Sequence, residues 1–272
     1  MPRFSAEWLV RTGPDARVTI AVVPAIMPAM AEQRVALVTG GAKRVGRAIV
    51  ERLAQAGFDV AFTYLTSETD AADLCSGLEA RGSAALPIRA DLTHAQRASD
   101  TIASAFAGRF GRLDVLVNSA SLYEPAPLDR TDLALSRRMM AIHFESPLLL
   151  CQAFAPLLRS AKGHVVNMVD LLAERPWPQY VAYCASKAAL WNLTLSLARE
   201  LAPEVTVNGI APGVVVWPPD YPESEQQKYL QRVPLARPGT PRDVAETVHF
   251  LCTGGSYVTG QIIRLDGGRS IT

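Results

Sequence analysis

"RVALVTGGAKRVGRAIVERLAQAG", residues 34–57, decides the fold. Its first part, RVALVTGG, is a short apolar run ending in glycines, as expected of a buried strand that leads into a tight turn. Its second part, RVGRAIVERLAQAG, spaces its apolar residues for a helix and closes on Gly57, a residue suited to the backbone that follows a helix end. Strand, glycine turn and helix in that order form the first unit of an open α/β sheet.

The same alternation continues outward from this unit. "FDVAFTYL" reads as the second strand, and "SETDAADLCSGLEARG" as a helix with a Ser67 cap, an acidic first turn and a stop at Gly82. "SAALPIRADL" and "LDVLVNSAS" are strands on either side of the helix in "HAQRASDTIASAFAGRFG". A long helix lies in "TDLALSRRMMAIHFESPLLLCQAFAPLLRS". The strand "GHVVNMV" precedes a helix carrying "YVAYCASKAALWNLTLSLARELA". "VTVNGIAPG" and "QIIRLDGG" are the last strands, and between them "TPRDVAETVHFLCTG" starts with Thr240 as cap and Pro241 at its first position. Apolar strands separated by helices predict an α/β, doubly wound parallel sheet of the Rossmann type in a single domain over residues 31–272. Ligands of such sheets sit beyond the carboxyl ends of the strands.

A chain of 272 residues with 49% hydrophobic and 19% charged residues supports one well-filled domain. Its formal net charge of +1 gives no reason to expect nucleic acid or an anionic membrane as partner. Polar or charged residues interrupt every candidate apolar run, so no membrane-spanning segment is expected. The spacings of Cys75, Cys151, Cys184 and Cys252 match no metal-ligand or redox pattern, which favours reduced thiols in a cytoplasmic protein and no metal. Residues 1–30 have no sustained period and read as a disordered extension or an over-extended start, with Met27 and Met30 as candidate initiators; Arg11 and Arg17 before the apolar "VTIAVVPAIM" leave a secretory signal as the open alternative. "PGVVVWPPDYPESEQQKYLQ", residues 212–231, is Pro-, Trp- and Glu-rich, and about 213–232 is a candidate lid.

"TGGAKRVG", residues 39–46, has the composition of a phosphate-binding turn: glycine lets the backbone approach a pyrophosphate, and the following helix offers amides and a positive dipole. Where the related Thr-Gly-x-x-x-Gly-x-Gly pattern has its second glycine, this chain has Arg44, preceded by Lys43. Two cations there favour a ligand with extra negative charge. The second strand ends "TYLTSE", with no acid for ribose hydroxyls, whereas Thr66 and Ser67 can donate to a 2′-phosphate. The reading is NADPH rather than NADH; solvation of a surface turn is the bland alternative for the cations. Further cofactor contacts are expected from Gly40, Val45, Asp91, Leu92, Asn118, Ser119, Ala120, Pro212 and Gly213. Asp91 can accept from the adenine amino group or cap a helix, and both roles stay open.

Tyr183 and Lys187 are four apart on a predicted helix and so share a face. A lysine charge favours tyrosinate and is expected to lower the tyrosine's pKa. The strand before them runs out in Asn-Met-Val-Asp, ending at Asp170. Taken together, "TGGAKRVG", "NSAS", "YVAYCASK", "VNGIAPG" and "VTGQIIRLDGG" resemble the short-chain dehydrogenase/reductase family over about Arg34 to Thr272. Arg44 and "NMVD" resemble the pteridine reductases and bacterial dihydromonapterin reductases within it.

The resemblance implies hydride transfer from NADPH, with Tyr183, Lys187 and Asp170 as catalytic residues, often in a homotetramer. Asp170 stands where the family usually has a serine. A carboxylate there would repel the alkoxide formed in carbonyl reduction, but can handle the proton delivered to nitrogen when a ring C=N bond is reduced. Substrate contacts are expected from Arg44, Ser121, Tyr123, Asp170, Tyr183 and Trp217, with Tyr123 either stacking on a bicyclic ring or packing in the core, and Tyr221 beside Trp217 in the lid. His143 stands where the family usually has an asparagine; it can hold a relay water or pack against a strand carbonyl. The expectation is an NADPH-dependent reductase of dihydropterins such as dihydromonapterin or dihydrobiopterin, with dihydrofolate as a side substrate. A carbonyl or 3-oxoacyl reductase is the alternative, followed by a non-catalytic NADP-binding regulator.

Overall fold

Seven strands form one parallel sheet in the order β3-β2-β1-β4-β5-β6-β7. The computed structural model describes residues 33–218 and 220–272, so the expectations for residues 1–30 lie outside the described residues. The first half runs β1 (Arg34–Val38), α1 (Arg44–Gln55), β2 (Phe58–Tyr64), α2 (Glu68–Glu79), β3 (Ala85–Arg89), α3 (Ala95–Ala107) and β4 (Val115–Asn118). The second half runs α4 (Leu133–Met140), a π turn (Ala141–Glu145), α5 (Ser146–Ala161), β5 (His164–Met168), α6 (Val181–Glu200), β6 (Thr206–Pro212), α7 (Glu223–Leu230), α8 (Pro241–Thr253) and β7 (Ile262–Leu265).

Strand alternation sends side chains to two apolar layers, one on each face. Val35 and Leu37 of β1 join the layer built with Phe106, Phe154 and Leu197 of α3, α5 and α6. Ala36 and Val38 join the other, with Ile49, Leu53 and Val248 of α1 and α8. Strand order reverses between β1 and β4, and the crevice of a doubly wound sheet opens at that point.

Several local expectations are met by specific contacts. Thr240 and Asp243 form a capping box at the start of α8, with Thr240 Oγ1 accepting from the Asp243 amide at 3.1 Å and Pro241 at the first helical position. Gly57 follows the end of α1 with φ +84°. Ser67 occupies the cap position of α2, yet its side chain makes no capping hydrogen bond.

Two expectations need correction. The segment after β6, read as irregular throughout, contains helix α7: Pro222 precedes it, Glu223 and Glu225 occupy its first turn, and Lys228 pairs with Glu225 at 2.7 Å. The long helical stretch from Leu133 to Ala161, whose most apolar 18 residues have a mean hydropathy of 1.3, is long and apolar enough to cross a membrane, contrary to the expectation of no such run. In the fold it is broken by the π turn, and Leu150, Cys151, Phe154 and Leu158 of α5 lie in the core against the sheet.

Candidate active site

A cavity of about 1280 Å³ runs along the carboxyl ends of the strands, from Gly40 and Arg44 to Asp170, Tyr183, Trp217 and Arg269. Its most polar corner forms between the end of β5 and the start of α6. Asp170 lies two residues beyond β5 with extended backbone and caps a short turn, its Oδ1 accepting from the Leu172 amide at 2.8 Å. Its Oδ2 accepts from the Tyr183 hydroxyl at 2.7 Å. Lys187, one turn along α6, is buried and donates from Nζ to the Met168 carbonyl at 2.7 Å.

Both oxygens of Asp170 thus accept, as a carboxylate does. Burial pushes its pKa up, while the Leu172 amide, the Tyr183 hydroxyl and the Lys187 charge pull it down. Burial lowers Lys187 to about 8 against the pull of Asp170. Tyr183 departs from the expectation of a lowered pKa. Burial, and then the neighbouring Asp170 carboxylate, hold its phenol well above the ordinary value, with only the Ser121 hydroxyl opposing them. The lysine's ammonium faces a backbone carbonyl, and its contact with the tyrosine is 5.7 Å to the ring centroid. Tyr183 therefore keeps its proton and donates it in a hydrogen bond to the Asp170 carboxylate.

His143, in the π turn, ties this corner to the loop after β4. Its Nδ1 lies 2.8 Å from Ser186 Oγ, whose proton goes to the Tyr183 carbonyl at 2.7 Å. Its Nε2 accepts from the Leu122 amide at 3.3 Å and meets Ser121 Oγ at 2.9 Å. These partners require a neutral ring protonated on Nδ1. Burial, then the Lys187 charge, push its pKa well below the ordinary value. Instead of packing on a strand carbonyl, the ring bridges two serines.

At the glycine turn, space is limiting. A Cβ on Gly46 would lie 2.1 Å from the Gly40 carbonyl oxygen, and one on Gly40, at φ +67°, would lie 2.9 Å from the Ala120 backbone. Arg44 adopts φ +51°, the conformation for which a glycine is the usual choice. Lys43 pairs with Asp70 of α2 at 2.9 Å, so it is not a bare surface cation. Val45, Asp91, Leu92, Ser119, Ala120 and Pro212 line the cavity, as does Gly213. Asp91 Oδ1 accepts from the Thr93 amide and hydroxyl at 3.0 and 2.7 Å, and the hydroxyl contact is the main cause of its lowered pKa. It closes a turn rather than capping α3, whose cap position is His94.

Three expected cofactor residues do not line this cavity. Asn118 turns inward, donating from Nδ2 to Asn167 Oδ1 of the neighbouring strand at 2.8 Å, while its own Oδ1 is buried without a hydrogen-bond partner. Thr66 and Ser67 lie past the cavity wall, which at this strand end consists of Thr63, Tyr64 and Leu65. The sequence reading passed over Thr39, whose Oγ1 accepts from the Ser119 and Ala120 amides at 2.9 and 3.0 Å and locks β1 to the loop after β4. Its position before the first glycine was the available signal.

The opposite wall is aromatic. Tyr123 is 41% exposed, which removes the core alternative. One face stacks on Tyr180 at 4.6 Å and its edge meets Tyr183 at 4.9 Å. Trp217 stacks on Tyr221 at 5.2 Å, and Tyr229 of α7 stands edge-on to Trp217 and Trp177. Tyr180, Trp177 and Tyr229 were missed, although Tyr180 in "QYVAYCASK" and Trp177 in "RPWPQ" flank the catalytic motif.

An enoyl-(acyl carrier protein) reductase family model matches residues 40–270. The chain belongs to the short-chain dehydrogenase/reductase family. It is an oxidoreductase. Among curated relatives it is 35% identical to pteridine reductase 1 of Leishmania tarentolae, over 88% of this chain and 96% of that one. It is 33% identical to a 3-oxoacyl-[acyl-carrier-protein] reductase of Synechocystis sp., over 86% and 96%. Among solved structures, a blue fluorescent protein from a metagenomic library in complex with NADPH superimposes with a TM-score of 0.81 at 36% identity, over 87% of this chain and 98% of that one.

Proposed function

We propose that the protein is an NADPH-dependent reductase of dihydropterins that saturates a ring C=N bond. The observation that carries this reading is the 2.7 Å hydrogen bond from Tyr183 to a buried carboxylate, Asp170. Carbonyl reduction builds negative charge on oxygen, which an adjacent carboxylate disfavours. Reduction of C=N instead needs a proton delivered to nitrogen, and a phenol whose proton is shared with a carboxylate supplies one. The likeness to a pteridine reductase agrees with this assignment.

The residues present fit a dinucleotide. The Gly40–Gly46 turn has no room for a side chain at either end, and the first amides of α1 have no partner within the helix. Arg44 and Lys43 would hold the added phosphate of NADPH, Asp91 and Ala120 would face the nucleoside portions, and Lys187 would face the nicotinamide ribose. Bound NADPH supplies a hydride to the substrate carbon. Tyr183 holds the proton for the substrate nitrogen, and Asp170 orients that proton and can take its place as the acid–base partner. Lys187 keeps a positive charge beside the pair. His143 fixes Ser121, which faces both Tyr183 and the cavity. The loop over residues 213–232 would act as the substrate lid, and a homotetramer is the assembly we propose.

Loss of NADPH absorbance with dihydrobiopterin, dihydromonapterin and a 3-ketoacyl thioester tests the reading. Turnover of a dihydropterin at least about a hundredfold above the thioester in kcat/KM, the discrimination a buried polar group can supply, is expected. Turnover of the thioester alone would assign the protein to carbonyl reduction.

A further inference from the structure

The π turn between α4 and α5 carries His143 into the interior, where its ring is buried and stands edge-on to Tyr183 with the centroids 5.4 Å apart. The proton positions around this ring follow one from another. Ser186 Oγ donates to the Tyr183 carbonyl at 2.7 Å, so its proton is committed and it can only accept from His143 Nδ1, 2.8 Å away. With Nδ1 protonated, the neutral ring has a bare Nε2, to which the Leu122 amide donates at 3.3 Å. Ser121 Oγ, 2.9 Å from the same Nε2, must then donate as well, because two lone pairs facing each other at that distance repel. Burial, then the Lys187 charge, oppose the protonation of Nε2 that would reverse this order.

The consequence falls on Ser121, which borders the cavity. A serine hydroxyl ordinarily turns to donate or to accept as its ligand requires. Here its single proton is committed to His143, and only lone pairs are left for a ligand. Ser121 could stabilise a Tyr183 phenolate only by taking that proton back from His143. The Tyr183 proton is itself directed to Asp170 Oδ2 at 2.7 Å. Both neighbours of the Tyr183 hydroxyl, the Asp170 carboxylate and Ser121 Oγ, are therefore acceptors. A ligand oxygen placed against Ser121 sets acceptor against acceptor, whereas a ligand N–H completes it. An exocyclic amino group suits a fixed acceptor best, because it remains a donor whatever the tautomer of its ring.

We propose that His143 is a positioning residue that fixes Ser121 as a hydrogen-bond acceptor, and that the site thereby selects rings carrying an amino group over the same rings carrying an oxo group in its place. The inference rests on the pterin reading and deepens it, since it assigns ring specificity to a residue that does not itself line the cavity. Removing the His143 acceptor frees the Ser121 hydroxyl to turn and donate, so such a variant gains affinity for the oxo ring.

The test is fluorescence titration of the NADP⁺-loaded full-length enzyme with pterin and with lumazine, the pteridine that carries an oxo group in place of the amino group. The proteins are wild type, His143→Leu and Ser121→Ala. Wild type should bind pterin about tenfold tighter than lumazine, the effect of one unmet hydrogen bond at a buried acceptor. In His143→Leu the ratio should fall to about one, and through tighter lumazine binding, a gain that loss of folding cannot produce. Ser121→Ala removes the acceptor itself and should also bring the ratio to about one, which keeps the test decisive if the leucine variant does not fold. A wild-type ratio near one, or a ratio unchanged in either variant that folds, would overturn the assignment. Turnover of a dihydropterin together with a ratio near one would overturn it and leave the pterin reading standing, whereas absence of binding by both rings would overturn both.

Discussion

The two ends of the cleft are built on opposite plans. At the catalytic corner each polar group has a fixed protein partner: Tyr183 on Asp170, Asp170 on the Leu172 amide, Lys187 on the Met168 carbonyl, His143 between two serines. At the mouth, Trp217, Tyr221, Tyr229 and Trp177 contact one another through ring faces and edges. Proton transfer needs groups whose orientation is settled before the substrate arrives, because reorganisation during the reaction raises the barrier. Recognition of a substrate body needs surface and charge that the ligand completes. Substitutions at the corner should therefore act on kcat, and substitutions at the mouth on KM.

The largest effect is expected at the proton donor. Tyr183→Phe should lower kcat by about 10²–10⁴-fold, the range for a positioned acid, while NADPH affinity measured by fluorescence titration stays within about twofold. A comparable loss of NADPH affinity would make Tyr183 a binding residue and erase the contrast. Asp170→Ser should reduce dihydropterin kcat/KM by about a hundredfold while sparing any activity on a ketone. Unchanged pterin kinetics would remove the carboxylate from the mechanism.

Lys187 gives the contrast a pH dependence. Its pKa is lowered from 10.5 to about 8, so the charge beside Asp170 is lost as pH rises through that value. kcat/KM should then fall by about tenfold per unit above pH 8, as for loss of one required proton. Lys187→Arg should move this limb out of range. Stability responds with the opposite sign. A depressed folded pKa contributes stability that is present above 10.5 and lost as pH falls through about 8, so melting temperature should gain from this group as activity declines. The smallest effect is expected at the mouth: Trp217→Ala should raise KM about three- to tenfold, the worth of one aromatic contact, and leave kcat unchanged. A kcat loss there would mean that the lid organises the chemistry.

How much was legible in the sequence differs between the same two regions. The Tyr183–Lys187 spacing reports a shared helix face, because four residues make about one turn. Asp170 could be placed near them because the end of β5 and the start of α6 lie at the same edge of the sheet, joined by residues 169–180. At Asn118, polarity at a strand end does not reveal whether the side chain points into the crevice or towards the next strand, where Asn167 accepts from it. Thr66 and Ser67 show a related limit: where β2 stops decides which residue borders the cavity, and Leu65 rather than Thr66 or Ser67 lines it. Helix α7 was hidden because its acidic first turn looks like an ordinary charged loop without the tertiary contact of Tyr229 with the Val214 amide.

Periodicity and the glycine turn determined the sheet, its parallel sense and the position of the crevice, because these follow from local spacing and from the few connections a right-handed chain allows. The grouping of Asp170, Tyr183 and Lys187 was also local, because all three lie between the end of β5 and the first two turns of α6. Only the tertiary structure decided the protonation logic, because the high pKa of Tyr183 and the low pKa of Lys187 come first from burial, which no spacing reports. It alone brought Arg175, Arg232 and Arg269, from segments as much as nearly a hundred residues apart, into the lining of one cavity.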